Sequence, residues 1–362
     1  MNPYRPTLLL NILLYIGLPG LLLPLDSSCT GQQAGHTPQP AAHTSALPAG
    51  DTVSRLGKNI CSILHDRNNH FWYASNGEGL YHYNGNTLRH FTTQHGLLSN
   101  YVLSVEQHPN GRLFFVTRDG VCTLQSDTFA DCTPQMNDAP FGPLRYTPGG
   151  LFFTRPHGLC YYNGDSFTTF SIEPASAGPA LPDFNRPYSI YSTLADKEGN
   201  IWFGTQEKGV CCYNGNTFTY YTENGLDKAA VRTLFQDRDG TLWAGNNGAG
   251  LFRFNGKTFD NFTEAHHLGN PEFLAKLPPR EGTLGRPWTL EQDSAGLLWI
   301  GTIDAGVWTF DGTQLTHYTT QHGLAGNSIW KIYKDNTGAF WFIVNGEALC
   351  RFNGQRFSTF VF

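Results

Sequence analysis

The stretch Tyr188–Leu226, YSIYSTLADKEGNIWFGTQEKGVCCYNGNTFTYYTENGL, decides the fold. It reads as four short strands in a row. YSIYSTLA and NIWFGT are joined by the polar turn DKEG, and GVCCY and TFTYYT by Asn214-Gly215. Asn-Gly between two apolar runs is a strong hairpin signal, because a type I′ turn needs positive φ at both central residues. One such sheet, apolar on both faces, cannot bury itself in water. It has to stack on copies of itself.

The copies are present from residue 56 onward, seven in all. Their second strands are marked by Phe71-Trp72, Leu113-Phe114, Leu151-Phe152, Ile201-Trp202, Leu242-Trp243, Leu298-Trp299 and Phe340-Trp341, each after a short polar turn. Third strands follow as GLYHY, GVCTL, GLCYY, GVCCY, GLFRF, GVWTF and ALCRF. In the fourth strands the aromatic residues fall three apart, not two, which predicts a bulge or a strong twist there. The expected fold is all-β: a seven-bladed propeller of four antiparallel strands per blade over residues 51–362. The blades run approximately 56–97, 98–138, 139–176, 185–226, 227–266, 284–324 and 325–362. No strand is visibly borrowed to seal the ring, although Asp51 to Leu56 could add one at the seam.

The unit V-x-x-I-x-x-D-x-x-G-x-[IL]-W-[IF]-G-T-x-x-x-G-[LV]-x-x-[FY] resembles the two-component regulator propeller repeat, best in copies four to six. Copies two and three have lost the Trp. The resemblance implies the periplasmic sensing part of hybrid sensor kinases, which often respond to glycan fragments. Such proteins continue into a β-sandwich, a membrane helix and a kinase. This sequence reaches Phe362 within the last strand, so signalling by this chain alone is not expected.

Residues 1–29 read as an export signal, with Arg5 followed by an apolar run from Leu8 to Leu25. Ser27-Ser28-Cys29 resembles the end of a lipoprotein signal, with Cys29 the candidate lipidation site; cleavage without lipid and an uncleaved anchor are the alternatives. Residues 30–50 hold almost no large apolar side chain and read as a flexible tether. The expected location is the periplasm, or the outer membrane or cell surface as a lipoprotein. Membrane contact is expected only through that N-terminal lipid or anchor. The net charge of −5 and the scattered Lys and Arg exclude a phosphate-binding stripe, so nucleic acid is not an expected partner.

In a propeller the blade-to-blade connections and the loops between second and third strands share one face. Both long insertions, 171–187 and 264–287, rise there with those loops. Loops on a rigid scaffold carry function more often than the scaffold does. The candidate ligand-binding residues are Tyr101, Arg118, Arg155, His157, Tyr191, Glu207, Arg232, Asn246, Trp288, Asp304, Trp330 and Glu347. Aromatic faces beside Arg, Asn and carboxylates suit a sugar, whose apolar face stacks while its hydroxyls are bonded. The plain alternative is that these aromatics pack between blades.

The Asp of the D-x-x-G turns (Asp66, Asp196, Asp237, Asp293, Asp335) recurs too often for a catalyst and reads as a turn former bonding backbone N–H groups. Cys122, Cys160, Cys211 and Cys350 share one third-strand position, where other copies place Tyr81, Phe252 and Trp308. That pattern predicts buried free thiols and no disulfide in the propeller. No metal-ligand spacing exists among the histidines; His266-His267 is the only adjacent pair. Neither a metal nor a cofactor is expected. These readings favour an exported, non-catalytic binding module for glycan fragments or an envelope protein. The alternatives are a propeller lyase or hydrolase, with His157 and Glu207 or Glu78 as the candidate pair, and a structural interaction platform.

Overall fold

The computed structural model describes residues 47–139, 146–155, 158–172, 187–275 and 282–361. The export signal with Cys29, and all of the tether before Leu47, lie outside the described residues. Residues 42–362 form one compact unit. Among the described residues no helix is long and apolar enough to cross a membrane.

Seven antiparallel sheets follow one another along the chain, each made of consecutive strands apart from one addition. Five have four strands. The third shows three (Leu151–Arg155, Gly158–Tyr162, Phe167–Phe170), and residues 140–145 just before them are not described. The first gains a fifth strand, Asp51–Val53, paired antiparallel to Leu88–Phe91 on its outer edge. Asp51–Val53 thus adds its strand to blade 1, and Val53 and Leu56 pack against the core that blades 1 and 7 share at the seam.

Seven apolar cores alternate with the seven sheets, each filled from two neighbouring blades. The last joins Ile63, Tyr73 and Leu88 of blade 1 to Trp341, Ile343 and Leu349 of blade 7, which closes the circle. This arrangement explains the three-residue spacing in the fourth strands, where the predicted bulge is absent: third and fourth strands pair without a slip. Residues three apart point to opposite faces, and both faces are buried. Leu88 packs toward blade 7 and Phe91 toward blade 2; Phe167 packs toward blade 2 and Phe170 toward blade 4.

The cysteines obey a volume rule. Cys122, Cys160, Cys211 and Cys350 each lie opposite a phenylalanine of the second strand (Phe115, Phe153, Phe203, Phe342). Where the third strand holds Phe252 the partner shrinks to Ala244. Interiors are packed to near-crystal density, so in these five blades a large residue on one strand is matched by a small one across from it, whereas blade 1 fits Tyr73 opposite Tyr81 and blade 6 Ile300 opposite Trp308. None of the seven described cysteines is in a disulfide. Burial pushes Cys122 and Cys211 up to about 12, which leaves them protonated and unreactive at neutral pH.

The turn aspartates do more than fix the turn. Asp66 accepts from the backbone N–H of Asn68 and His70 (2.8 and 3.0 Å) with one oxygen and from the Trp72 indole (2.8 Å) with the other. The indole bond recurs from Trp202 to Asp196, Trp243 to Asp237, Trp299 to Asp293 and Trp341 to Asp335, at 2.7–3.2 Å. A buried indole N–H needs an acceptor. Copies two and three lack both members of the pair, as this bond requires.

A second bond ties blade to blade. The N–H after the turn residue donates to the next blade's glutamine: Arg67 to Gln107, Lys197 to Gln236 and Arg238 to Gln292, at 2.9–3.0 Å. At the seam Asn336 N donates to Nδ1 of His65 (3.2 Å), which stands where the glutamine would be. His65 is buried and stacks on Phe71 at 4.1 Å. We expect His65→Ala to cost about 1 kcal/mol in urea unfolding, and His65→Gln to recover most of it.

Candidate functional site

Every described inner strand slips register once, at the same place. The slips fall between Ile60 and Ser62, Val102 and Ser104, Ile190 and Ser192, Val231 and Thr233, Pro287 and Thr289, and Ile329 and Lys331. The bulged residues are Cys61, Leu103, Tyr191, Arg232, Trp288 and Trp330. Each stands five positions before the first residue of its turn. A bulge bends the strand and re-aims a side chain. Inner strands line a propeller's central channel, so the bulges set a ring of side chains at its mouth.

The repeat's W-x-G-T glycine makes room for this ring. Gly204 pairs with Ser192, and a Cβ there would lie 2.6 Å from the Val231 carbonyl oxygen of the next blade. A Cβ on Gly245 would lie 3.0 Å from the Pro287 carbonyl, and one on Gly301 2.7 Å from Ile329 Cγ2. The neighbouring inner strand thus approaches closest where its own bulge begins.

Three predicted residues come together across three blades. Arg232 of blade 5 holds its guanidinium carbon 3.8 Å from the ring centre of Tyr191 in blade 4 and 4.8 Å from that of Trp288 in blade 6. All three are half-buried. The Arg232 Nε is buried and has no hydrogen-bond partner. Burial lowers the Arg232 pKa; Tyr191 opposes that shift and the nearby charge of Arg286 adds to it.

Beside this stack stands a second arginine that sequence reasoning missed. Arg286 donates from Nε to Asn247 Oδ1 (2.9 Å) and pairs through Nη1 with Asp304 Oδ2 (3.4 Å). Its guanidinium lies 4.2 Å from the ring of Phe273, in the short helix Pro271–Leu274 of the second insertion. Asn270 caps that helix by accepting from Phe273 N (3.1 Å). This helix of the insertion thus lies against Arg286 and, through it, the loops at the mouth. Asp304 Oδ1 remains buried without a partner, and burial raises this carboxyl while Arg286 opposes the rise.

The other candidates separate. Tyr101 is exposed and stacks under Arg118 (3.7 Å), but it sits two positions ahead of the bulge, so the register equivalent in blade 2 is the exposed Leu103. Trp330 donates to Ser328 Oγ (3.2 Å) and packs on Gly346, where a Cβ would meet the ring at 2.7 Å. Asn246 is fully buried and is a loop lock. Its amide donates to the Leu226 and Ala229 carbonyls and its oxygen accepts from Ala249 N. Glu207 and Glu347 are exposed on their loops. Glu78 is engaged by Tyr81 OH (3.2 Å) and Lys58 N (3.0 Å). His157 and the side chain of Arg155 lie outside the described residues. Among the described residues no group of His, Cys, Asp and Glu could hold a metal ion.

Seven sheets in a ring, with a wedge-shaped core between each pair, define a seven-bladed β-propeller. The family model of the two component regulator propeller matches residues 186–207 and 225–248. No curated protein matches it in sequence. Among solved structures it is similar to an extracellular domain assigned to a hybrid two-component system of B. thetaiotaomicron. The TM-score is 0.58 at 23% identity, over 85% of this chain and 40% of that one. The chain therefore spans well under half the length of that domain. It is also similar to virginiamycin B lyase from Staphylococcus aureus, crystallised with quinupristin (TM-score 0.59, 11% identity, 83% and 97% covered). A third likeness is to PorZ, a surface component of the type-IX secretion system of Porphyromonas gingivalis (TM-score 0.51, 17% identity, 84% and 46% covered). At these identities the likenesses show the fold.

Proposed function

We propose that this protein is an exported, non-catalytic binding module that holds a glycan fragment at the channel mouth. The observation that carries this reading is the Tyr191–Arg232–Trp288 stack, which three separate blades supply at one register position. Packing alone does not require a half-buried guanidinium, without a counter-charge among the described residues, between two half-buried rings. A sugar uses both parts, an aromatic face for its C–H face and N–H donors for its hydroxyls. The likeness to a sensor's extracellular domain supports the placement outside the cytoplasm, and the apolar run Leu8–Leu25 supports export.

The test is calorimetric titration of the purified chain against a broad panel of oligosaccharides. At least one sugar is expected to bind, with Trp288→Ala weakening it tenfold or more, the size of a removed aromatic anchor. Equal binding by Trp288→Ala, or silence across the panel, overturns the reading.

A further inference from the structure

We infer that the ligand held at this mouth is anionic, a sugar bearing a carboxylate or a sulfate ester, and that Arg232 is the residue that selects it. This inference rests on the binding site proposed above and adds the chemical class of its occupant.

The argument begins with charge. A cation taken out of water needs a counter-charge or a full set of acceptors, because desolvation of an ion costs several kcal/mol (order of magnitude). The two arginines at the mouth differ in this respect. Arg286 has Asp304 and Asn247. Arg232 has two aromatic faces and, among the described residues, no carboxylate within ion-pair distance. Cation–π contacts contribute roughly 0.5–2 kcal/mol and do not replace an anion. The rings lie within cation–π distance of the guanidinium, and the Tyr191 hydroxyl takes one of its N–H donors, which leaves other donors of the fork for a ligand. That fork is the part that grips a planar carboxylate or a sulfate through parallel hydrogen bonds.

The neighbourhood is arranged the same way. Arg286, though paired with Asp304, still disfavours the charge of Arg232, and a neutral ligand would leave that unrelieved. A bound anion relieves it. The stack also holds the guanidinium in place before binding, so little side-chain entropy is lost when the ligand arrives.

The test uses the same chain and paired probes. One pair is an oligogalacturonate and its methyl ester; the other is a sulfated chondroitin disaccharide and its desulfated form. Further uronates and sulfated sugars, each with a neutral counterpart, extend the panel. The acidic members are expected to bind at least tenfold tighter than their neutral partners, with affinity falling as NaCl is raised. Arg232→Gln removes the difference, and Arg232→Lys retains part of it because the charge stays while the fork is lost. Both variants are first shown to melt cooperatively, so that loss of binding is not loss of fold. The pair that responds identifies carboxylate or sulfate as the recognised group. Neutral and acidic members binding alike, or Arg232→Gln keeping the full preference, overturns this inference and leaves the glycan reading standing. Silence from all members, neutral and acidic, overturns both.

Discussion

Replacing Asp335 by alanine is expected to cost about 3 kcal/mol of stability, the loss of several charge-assisted bonds at one buried carboxylate. Its carboxylate accepts from Thr337 N (2.9 Å), Ala339 N (3.0 Å) and the Trp341 indole (2.8 Å), and it is 5% exposed. Most of the loss comes from the indole N–H, which is left buried with no acceptor. The double variant Asp335→Ala/Trp341→Phe removes that orphan and should be less destabilised than the two single effects summed, as a urea double-mutant cycle will measure. The site also carries a pH signature. Burial by itself pushes the Asp335 carboxyl up, but the bonds from Thr337, Trp341 and Ala339 outweigh it and hold it below the usual carboxylate range. Its contribution is therefore complete above the unfolded pKa and disappears as the pH falls through the lower folded value. The wild-type chain should lose stability over that acid interval more steeply than Asp335→Ala does.

Gly204→Val is expected to cost about 3 kcal/mol, at the upper end for overpacking a tight site. The added Cβ meets the Val231 carbonyl oxygen at 2.6 Å and Val231 Cγ1 at 2.8 Å, and it also meets Ser192 Oγ. The carbonyl belongs to the backbone of the next blade and cannot turn aside. The inner strand Val231–Gln236 must therefore move, carrying Arg232 with it. Glycan affinity should fall along with the melting temperature. Gly204→Ala should be milder, since blade 1 holds Ala74 at the same register, opposite Ser62. Thermal melts paired with ligand titration distinguish this coupled loss from simple destabilisation.

The ring, its seven sheets and the burial of the cysteines were legible because each repeats, and a repeated pattern carries its own control. What repetition hides is register. Tyr101 and Tyr191 look equivalent until the bulge is located, yet counting five residues back from the turn gives Leu103 and Tyr191 as the matched pair. The indole bond was also open to inference, since Asp and Trp are lost together in copies two and three. Arg286 and Phe273 carried no such signal: both lie in an insertion that occurs once, and only the folded chain brings them into contact. The three-residue spacing misled because alternation assumes one wet face, whereas a blade between two neighbours has none.

The His65–Asn336 contact has a wider meaning. The join between the final wedge and the opening one is made by the same kind of handshake as three joins inside the chain, and among the described residues no strand is exchanged between those two sheets. The circle has no privileged origin. Its cohesion is spread over seven inter-blade cores, and the order in which the polypeptide visits the wedges is a matter of threading, separate from what keeps them together.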